Sequence, residues 1–88
     1  MFDENGMMAR IDKVTKNFIS HNETVTKNTR FSDLGASSLE KIEIIMGLED
    51  EFGVKFKNEE EIETVGEALD TIKREIRDRL TKGKRQFS

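Results

Sequence analysis

An 88-residue chain fits one compact domain, and by size scaling it buries only about 60–65% of its surface, which leaves little room for an enclosed active site. Its composition is 38% charged and 34% hydrophobic, without proline, tryptophan, tyrosine or cysteine. The missing cysteine excludes a disulfide framework, a thiolate zinc site and any thiol nucleophile of the chain's own, and it fits a reducing, cytosol-like compartment. The net charge of −3 is unevenly placed: residues 1–70 hold 16 acidic and 8 basic side chains, residues 71–88 hold 2 and 7. An acidic surface repels nucleic acid and the anionic membrane face and favours basic protein partners. No apolar run matches the about 7–15 residues of a signal peptide or the about 18 of a membrane span. The expectation is a soluble, unprocessed, cytoplasmic monomer.

From Asn5 to Ser20 the apolar residues Met7, Met8, Ile11, Val14, Phe18 and Ile19 recur at three- and four-residue spacing, which predicts an amphipathic helix over 5–20. The stretch His21 to Ser37 is rich in Thr, Asn, Ser and Asp, with apolar points only at Val25, Phe31, Leu34 and Ala36. It reads as a long loop pinned to the core at those points, and loops of this length are uncommon unless functional. Its lone histidine, His21, is expected at the surface with no catalytic role. A second helix, Ser38 to Phe52, is signed at both ends: Ser37 as N-cap with Glu40 three residues on, as in a capping box, and Gly53 past the last turn. After the linker Val54 to Asn58, the acidic run Glu59 to Ile62 suits a single short helical turn. Thr64 then caps a last helix, with the stripe Val65, Leu69, Ile72, Ile76 and Leu80, and Gly83 as its expected end. No strand-like alternation and no internal repeat appear. The fold class is therefore all-α, a small four-helix bundle of three main helices plus one short helix, with a long first loop. Residues 1–80 form the domain and 81–88 a basic tail, expected to be disordered, in which Lys82, Lys84 and Arg85 are either a solvated end or a contact for phosphate or an acidic surface.

The second helix has one apolar stripe too many. At about 100° per residue, Ile44, Ile45, Leu48 and Phe52 share an arc facing the bundle core, while Leu39, Ile42 and Met46 share a second arc bordered by Glu43, Glu49 and Asp50. Structurally, the second stripe could pack against the long loop or the short third helix. Functionally, a small apolar patch rimmed by carboxylates suits a transient basic partner: apolar contact grips, the acidic rim steers, and the small area keeps release fast. The helix carries Glu40, Glu43, Glu49, Asp50 and Glu51 against the single base Lys41, which fits a docking face but also an ordinary solvated one.

Phe31-Ser-Asp-Leu-Gly-Ala-Ser-Ser-Leu-Glu40, continuing through Ile42-Glu-Ile-Ile-Met-Gly-Leu-Glu-Asp-Glu-Phe-Gly53, resembles the signature of the acyl carrier proteins. In that family a Leu-Gly-x-Asp-Ser-Leu motif enters the second helix, and an acidic helix follows that ends in Glu-Phe-Gly. Thr64-Val-Gly-Glu-Ala-Leu69 is similar to the start of the family's last helix, and the helices agree in order over residues 5–80. The resemblance implies an acyl-carrier-like bundle that is not an enzyme. It also implies a phosphopantetheine arm, derived from coenzyme A, attached covalently to Ser38, the serine before the motif leucine. A hydroxyl at a helix N-terminus is accessible, and a phosphodiester there meets the positive end of the helix dipole. The implied partners are a phosphopantetheinyl transferase and the acyl-loading and acyl-processing enzymes of fatty-acid or polyketide type; the surplus stripe and its acidic rim assign the docking of their basic surfaces to Leu39, Ile42, Glu43, Met46, Glu49 and Asp50.

One position departs from the family pattern: the residue before the modified serine is usually aspartate, and here it is Ser37. That aspartate meets the transferring enzyme's magnesium and basic surface, so the departure bears on loading, although Ser37 can still cap the helix. Taken without the surrounding match, Ser37 and Ser38 are no more than a cap and a first-turn residue. The readings that stay open are an aminoacyl or peptidyl carrier on the same fold, and an unmodified carrier-like interaction module. The chain shows no nucleotide-binding glycine loop, no metal-ligand spacing and no catalytic triad. Asn22-Glu-Thr24 fits a glycosylation sequon, which has no meaning without secretion.

Overall fold

The computed structural model describes residues 3–85, with side chains through Leu80. The first helix, α1, spans Glu4–Phe18. Asp3 caps it, its carboxylate accepting the Gly6 N–H at 3.2 Å. The helix stops short of the expected Ser20 because Ile19 turns extended (φ −136°, ψ 148°), its N–H bonded back to Thr15 O, and is buried. The core face is Met7, Ile11, Val14 and, unforeseen from hydropathy, Thr15. Threonine is tolerated there because its hydroxyl donates to Asp12 O at 2.7 Å, so no buried donor is left open. Phe18, expected on the core stripe, is instead exposed, with its ring lying over Gly47 of the next helix.

Helix α2 spans Ser38–Phe52 and buries Ile44, Ile45 and Leu48 completely. Phe52, the fourth residue of the expected core arc, is only half-buried and lies under the Arg10 guanidinium, 4.3 Å from the ring centre. Arg10 also bonds Glu51 through its carboxylate and its carbonyl, both at 2.7 Å, tying α1 to the end of α2. Midway along, a Cβ on Gly47 would stand 2.6 Å from the Phe18 ring and 3.0 Å from Val14, so the glycine is what lets the two helices approach. Gly53 ends α2 in the left-handed region (φ 67°), its N–H closing on Glu49 O at 2.8 Å.

Val25, Phe31 and Leu34 of the loop are buried and Ala36 packs against the core, as the sequence indicates. Within the loop, Ser32–Leu34 form a 3₁₀ turn closed by Gly35 at φ 88°. His21 corrects the expectation of a surface histidine: it is half-buried, its Nε2 2.9 Å from the Thr15 hydroxyl, and its Nδ1 is enclosed without a partner. Partial burial pushes the Asp12 carboxyl up, but hydrogen bonds from Lys16 and the Val25 amide outweigh it and hold it below 3.8.

The short helix expected after the linker is a single 3₁₀ turn, Glu59–Glu61. Helix α3 spans Val65–Arg85 and buries Val65, Ala68, Leu69, Ile72 and Thr71, with Ile76 at the core margin. Two expectations for α3 are overturned. Leu80 is 61% exposed: the buried stripe of α3 ends at Ile72, with Ile76 at its margin, although Arg79 still reaches the Gly53 carbonyl. Gly83 does not end the helix, which continues to Arg85: an interior glycine costs only about 1 kcal/mol, too little by itself to stop a helix of this length. The expected tail thus begins as helix, and residues 86–88 lie outside the described residues.

Among the described residues there is no strand, only one antiparallel bridge, Arg30 with Thr64. Around it Phe31 N–H bonds Glu63 O at 3.0 Å, Val65 N–H bonds Thr29 O at 2.9 Å and Gly66 N–H bonds Lys27 O at 2.9 Å. The long loop is thereby fastened to the start of α3. Close by, Glu4 pairs with Lys27, at 2.7 Å, and with Lys73, joining α1, the loop and α3. Both lysines hold the Glu4 carboxyl down at about 2.

Candidate functional site

The site is the N-terminus of α2, where the loop delivers the chain into the helix. Ser37 sits in extended backbone and completes both halves of a capping box: Glu40 N–H donates to Ser37 Oγ at 3.2 Å, and Ser37 N–H donates to Glu40 Oε1 at 2.9 Å. The box engages one serine and leaves the other. Ser38, the first helical residue, is exposed and belongs to neither half, so its hydroxyl faces solvent from a fixed backbone.

Two clefts open beside Ser38. One, of about 120 Å³, lies towards the loop and the α3 start and is lined by Ser32, Ala36, Ser37, Ser38, Lys41 and Glu63. The other, of about 460 Å³, lies towards the Glu59–Glu61 turn and is lined by Ser38, Leu39, Lys41, Ile42 and Glu60. Ser38 and Lys41 are common to both. Lys41 is half-buried, and its Nζ donates to Glu60 O at 3.0 Å.

The second stripe of α2 is largely on the surface. Leu39 is 69% and Met46 54% exposed, which removes the alternative that the loop or the short turn covers them; Ile42 is half-buried at the mouth of the larger cleft. Glu43 and Asp50 are exposed beside the stripe. Glu49 does more than border it, being half-buried and accepting the Phe56 N–H at 2.7 Å, which holds the linker against α2. Lys41 escaped the sequence reading as a site residue, and only its isolation among five acids hinted at it.

A family model described as the phosphopantetheine attachment site matches residues 10–72. The acyl carrier protein of Lactobacillus acidophilus is 42% identical over 65 residues, covering 70% of this chain and 81% of that one. This chain belongs to the acyl carrier protein family. Plant members are similar too: acyl carrier protein 5, chloroplastic, of Arabidopsis thaliana is 36% identical over 74 residues, covering 80% of this chain and 53% of its own length. Acyl carrier protein SF2, chloroplastic, of Brassica campestris is 40% identical over 67 residues, covering 72% and 50%. The chain spans about half the length of these chloroplastic relatives. Among the described residues no helix is long and apolar enough to cross a membrane.

The residues around Ser38 fit the prosthetic group that the family name implies. The hydroxyl is exposed at the positive end of a 15-residue helix, its neighbour's competing hydroxyl is occupied by the cap, and a lysine stands one turn on.

Proposed function

We propose that this chain carries acyl intermediates on a phosphopantetheine arm attached to Ser38 and presents them to biosynthetic enzymes of fatty-acid or polyketide type, without catalysing the reactions itself. The observation that supports this best is the division of labour between adjacent serines: Ser37 closes the cap and Ser38 is exposed beside two clefts. When attached, the arm supplies the thiol that the cysteine-free chain lacks and holds the acyl group as a thioester. The protein's own part is to offer the Ser38 oxygen to a transferase, to hold the start of α2 rigid, and to dock partners. A reducing, cytosol-like compartment suits a carrier whose working thiol must remain free.

Incubation with a phosphopantetheinyl transferase and coenzyme A should add the arm's mass to the wild type and to Ser37→Ala but not to Ser38→Ala. A gain that survives Ser38→Ala rules out the assignment. Ser37→Asp should speed loading by a broad-specificity transferase by restoring a carboxylate next to the acceptor; unchanged or slower loading removes that argument.

Docking is assigned to the exposed stripe. Leu39, Ile42 and Met46 supply the apolar grip, and Glu43, Glu49 and Asp50 the acidic rim, Glu49 with part of its carboxylate held by the linker. Glu43→Lys should slow association with a loading enzyme at low salt and converge on wild type as salt rises, because rim charges act over a screening length of about 8–10 Å. Met46→Ala should raise the dissociation rate at all salt concentrations.

Ser37 favours a second reading, an unmodified carrier-like interaction module, because it replaces the family's usual aspartate beside the acceptor. The intact mass of the protein isolated from its own cell separates the two, and the mass of any cargo separates acyl from aminoacyl carriage.

A further inference from the structure

The geometry points to Lys41 as the residue that holds the phosphodiester on Ser38, fixing the root of the arm over the cleft between α2 and the Glu59–Glu61 turn. This rests on attachment at Ser38. Lys41 is three residues on from Ser38, and side chains at that helical spacing are neighbours, with Cβ atoms about 5–6 Å apart. It is the other residue, besides Ser38, that lines both flanking clefts, so a group esterified to the serine on either side meets its side chain.

The ammonium is placed but not neutralised. Its bond is to the Glu60 backbone carbonyl, a neutral acceptor, and among the described residues no carboxylate pairs with it. An ammonium has three N–H donors, so two remain for a phosphate while the Glu60 bond persists. Glu40, the carboxylate adjacent in sequence to Lys41, is folded back onto the Ser37 amide and is already engaged. A bond to a charged oxygen is shorter and stronger than one to a carbonyl, so a phosphodiester within reach competes well for those donors. The consequence is directional. Nζ is anchored on the Glu60 carbonyl, and Glu60 lines the larger cleft and not the smaller one, so a phosphodiester held by Lys41 is drawn to that side of Ser38.

The test uses the full chain, loaded by a transferase and verified by intact mass. In wild-type holo-protein the ³¹P transverse relaxation of the phosphodiester should report an ordered group at low salt. Lys41→Gln should reduce that rate about twofold, as expected for a group released to fast local motion, and Lys41→Arg should retain it. Raising the salt to about 0.5 M should move the wild type towards the Lys41→Gln value and leave Lys41→Gln unchanged. In the wild type alone, conversion from apo to holo should shift the Lys41 ¹³Cε and ¹Hε resonances and leave those of Lys55 and Lys57 in place, a readout that does not depend on how the variant folds. If the mass gain occurs on Ser38 but the ³¹P relaxation is the same in wild type and Lys41→Gln, or the Lys41 resonances do not move, Lys41 has no such role and the attachment site stands. If no mass is gained, or it survives Ser38→Ala, the attachment site itself falls and Lys41 with it.

Discussion

Helices α2 and α3 begin with the same device and put it to opposite uses. Each opens on a hydroxyl N-cap answered by a glutamate three residues later: Ser37 with Glu40, and Thr64 with Glu67. At α3 the residue after the cap is Val65, fully buried, with its N–H bonded to Thr29 O, and the next, Gly66, lies directly against Lys27 O. At α2 the residue after the cap is Ser38, exposed, with the larger cleft beside it and exposed Leu39 next. The cap sets where a helix starts. Whether that start is sealed or open depends on whether another segment crosses it, and here the bridge from the loop crosses α3 alone.

Substitutions at the equivalent positions of the two helix starts should differ most. Val65→Ser removes two methyl groups from a sealed site and leaves a hydroxyl there, so it should cost about 2–4 kcal/mol in urea or thermal unfolding. Ser38→Ala, at the same place in the other helix, should change stability by less than about 0.5 kcal/mol. Equal costs at the two sites would mean that the α2 start is as enclosed as that of α3.

Gly66→Ala tests the crossing itself. The added Cβ would stand 2.8 Å from the Lys27 carbonyl oxygen, a backbone atom that cannot swing aside. Although alanine is the better helix former by up to about 1 kcal/mol, the net effect expected is a loss of about 1–2 kcal/mol, measured by denaturant melts. A stabilised variant would show that the loop yields easily.

Removing the caps should cost about 1 kcal/mol each, with Thr64→Ala above Ser37→Ala because loss of the first also loosens the bridge to the loop. A reversed order would shift the structural weight to the α2 start.

The smallest effect is in acid. Hydrogen bonds from the Glu63 and Thr64 amides hold the Glu67 carboxyl below its ordinary value of 4.5, and Lys27 and Lys73 hold Glu4 at about 2. A carboxyl whose pKa is lowered by folding stabilises the native state above its unfolded value; that contribution is lost as pH falls, from about 4.5 down to about 2 for Glu4. Both groups are exposed, so solvent screening keeps the effect modest. Melting temperatures between pH 6 and pH 3 should therefore fall less in Glu4→Gln and in Glu67→Gln than in the wild type. Parallel curves would mean that these carboxylates titrate alike in folded and unfolded chains.

The caps, the Gly53 stop, the pinning points Val25, Phe31 and Leu34, and the family motif were legible because each is written within a few neighbouring residues. Thr15, Gly47 and Gly66 were not. Thr15 is buried because its hydroxyl finds a carbonyl one turn back; Gly47 and Gly66 matter because a side chain or a backbone oxygen from elsewhere fills the space a Cβ would take. Leu80 and Gly83 misled for the complementary reason: the apolar period ran on past the last core residues of α3, so Leu80 was left uncovered, and a glycine remained helical.

Three helices, the loop between the first two, the acidic face and the serine at the head of α2 are all specified locally in the chain. Each follows from local rules of period, cap and charge, which act over a turn or two of chain. Long-range packing is what seals the start of α3 with the loop while that of α2 is open, leaves Leu39 and Met46 exposed, and holds Lys41 beside Ser38 on the Glu60 carbonyl. These depend on which surfaces exclude water from one another, and that is fixed by packing between segments as far apart in the chain as Lys27 and Gly66.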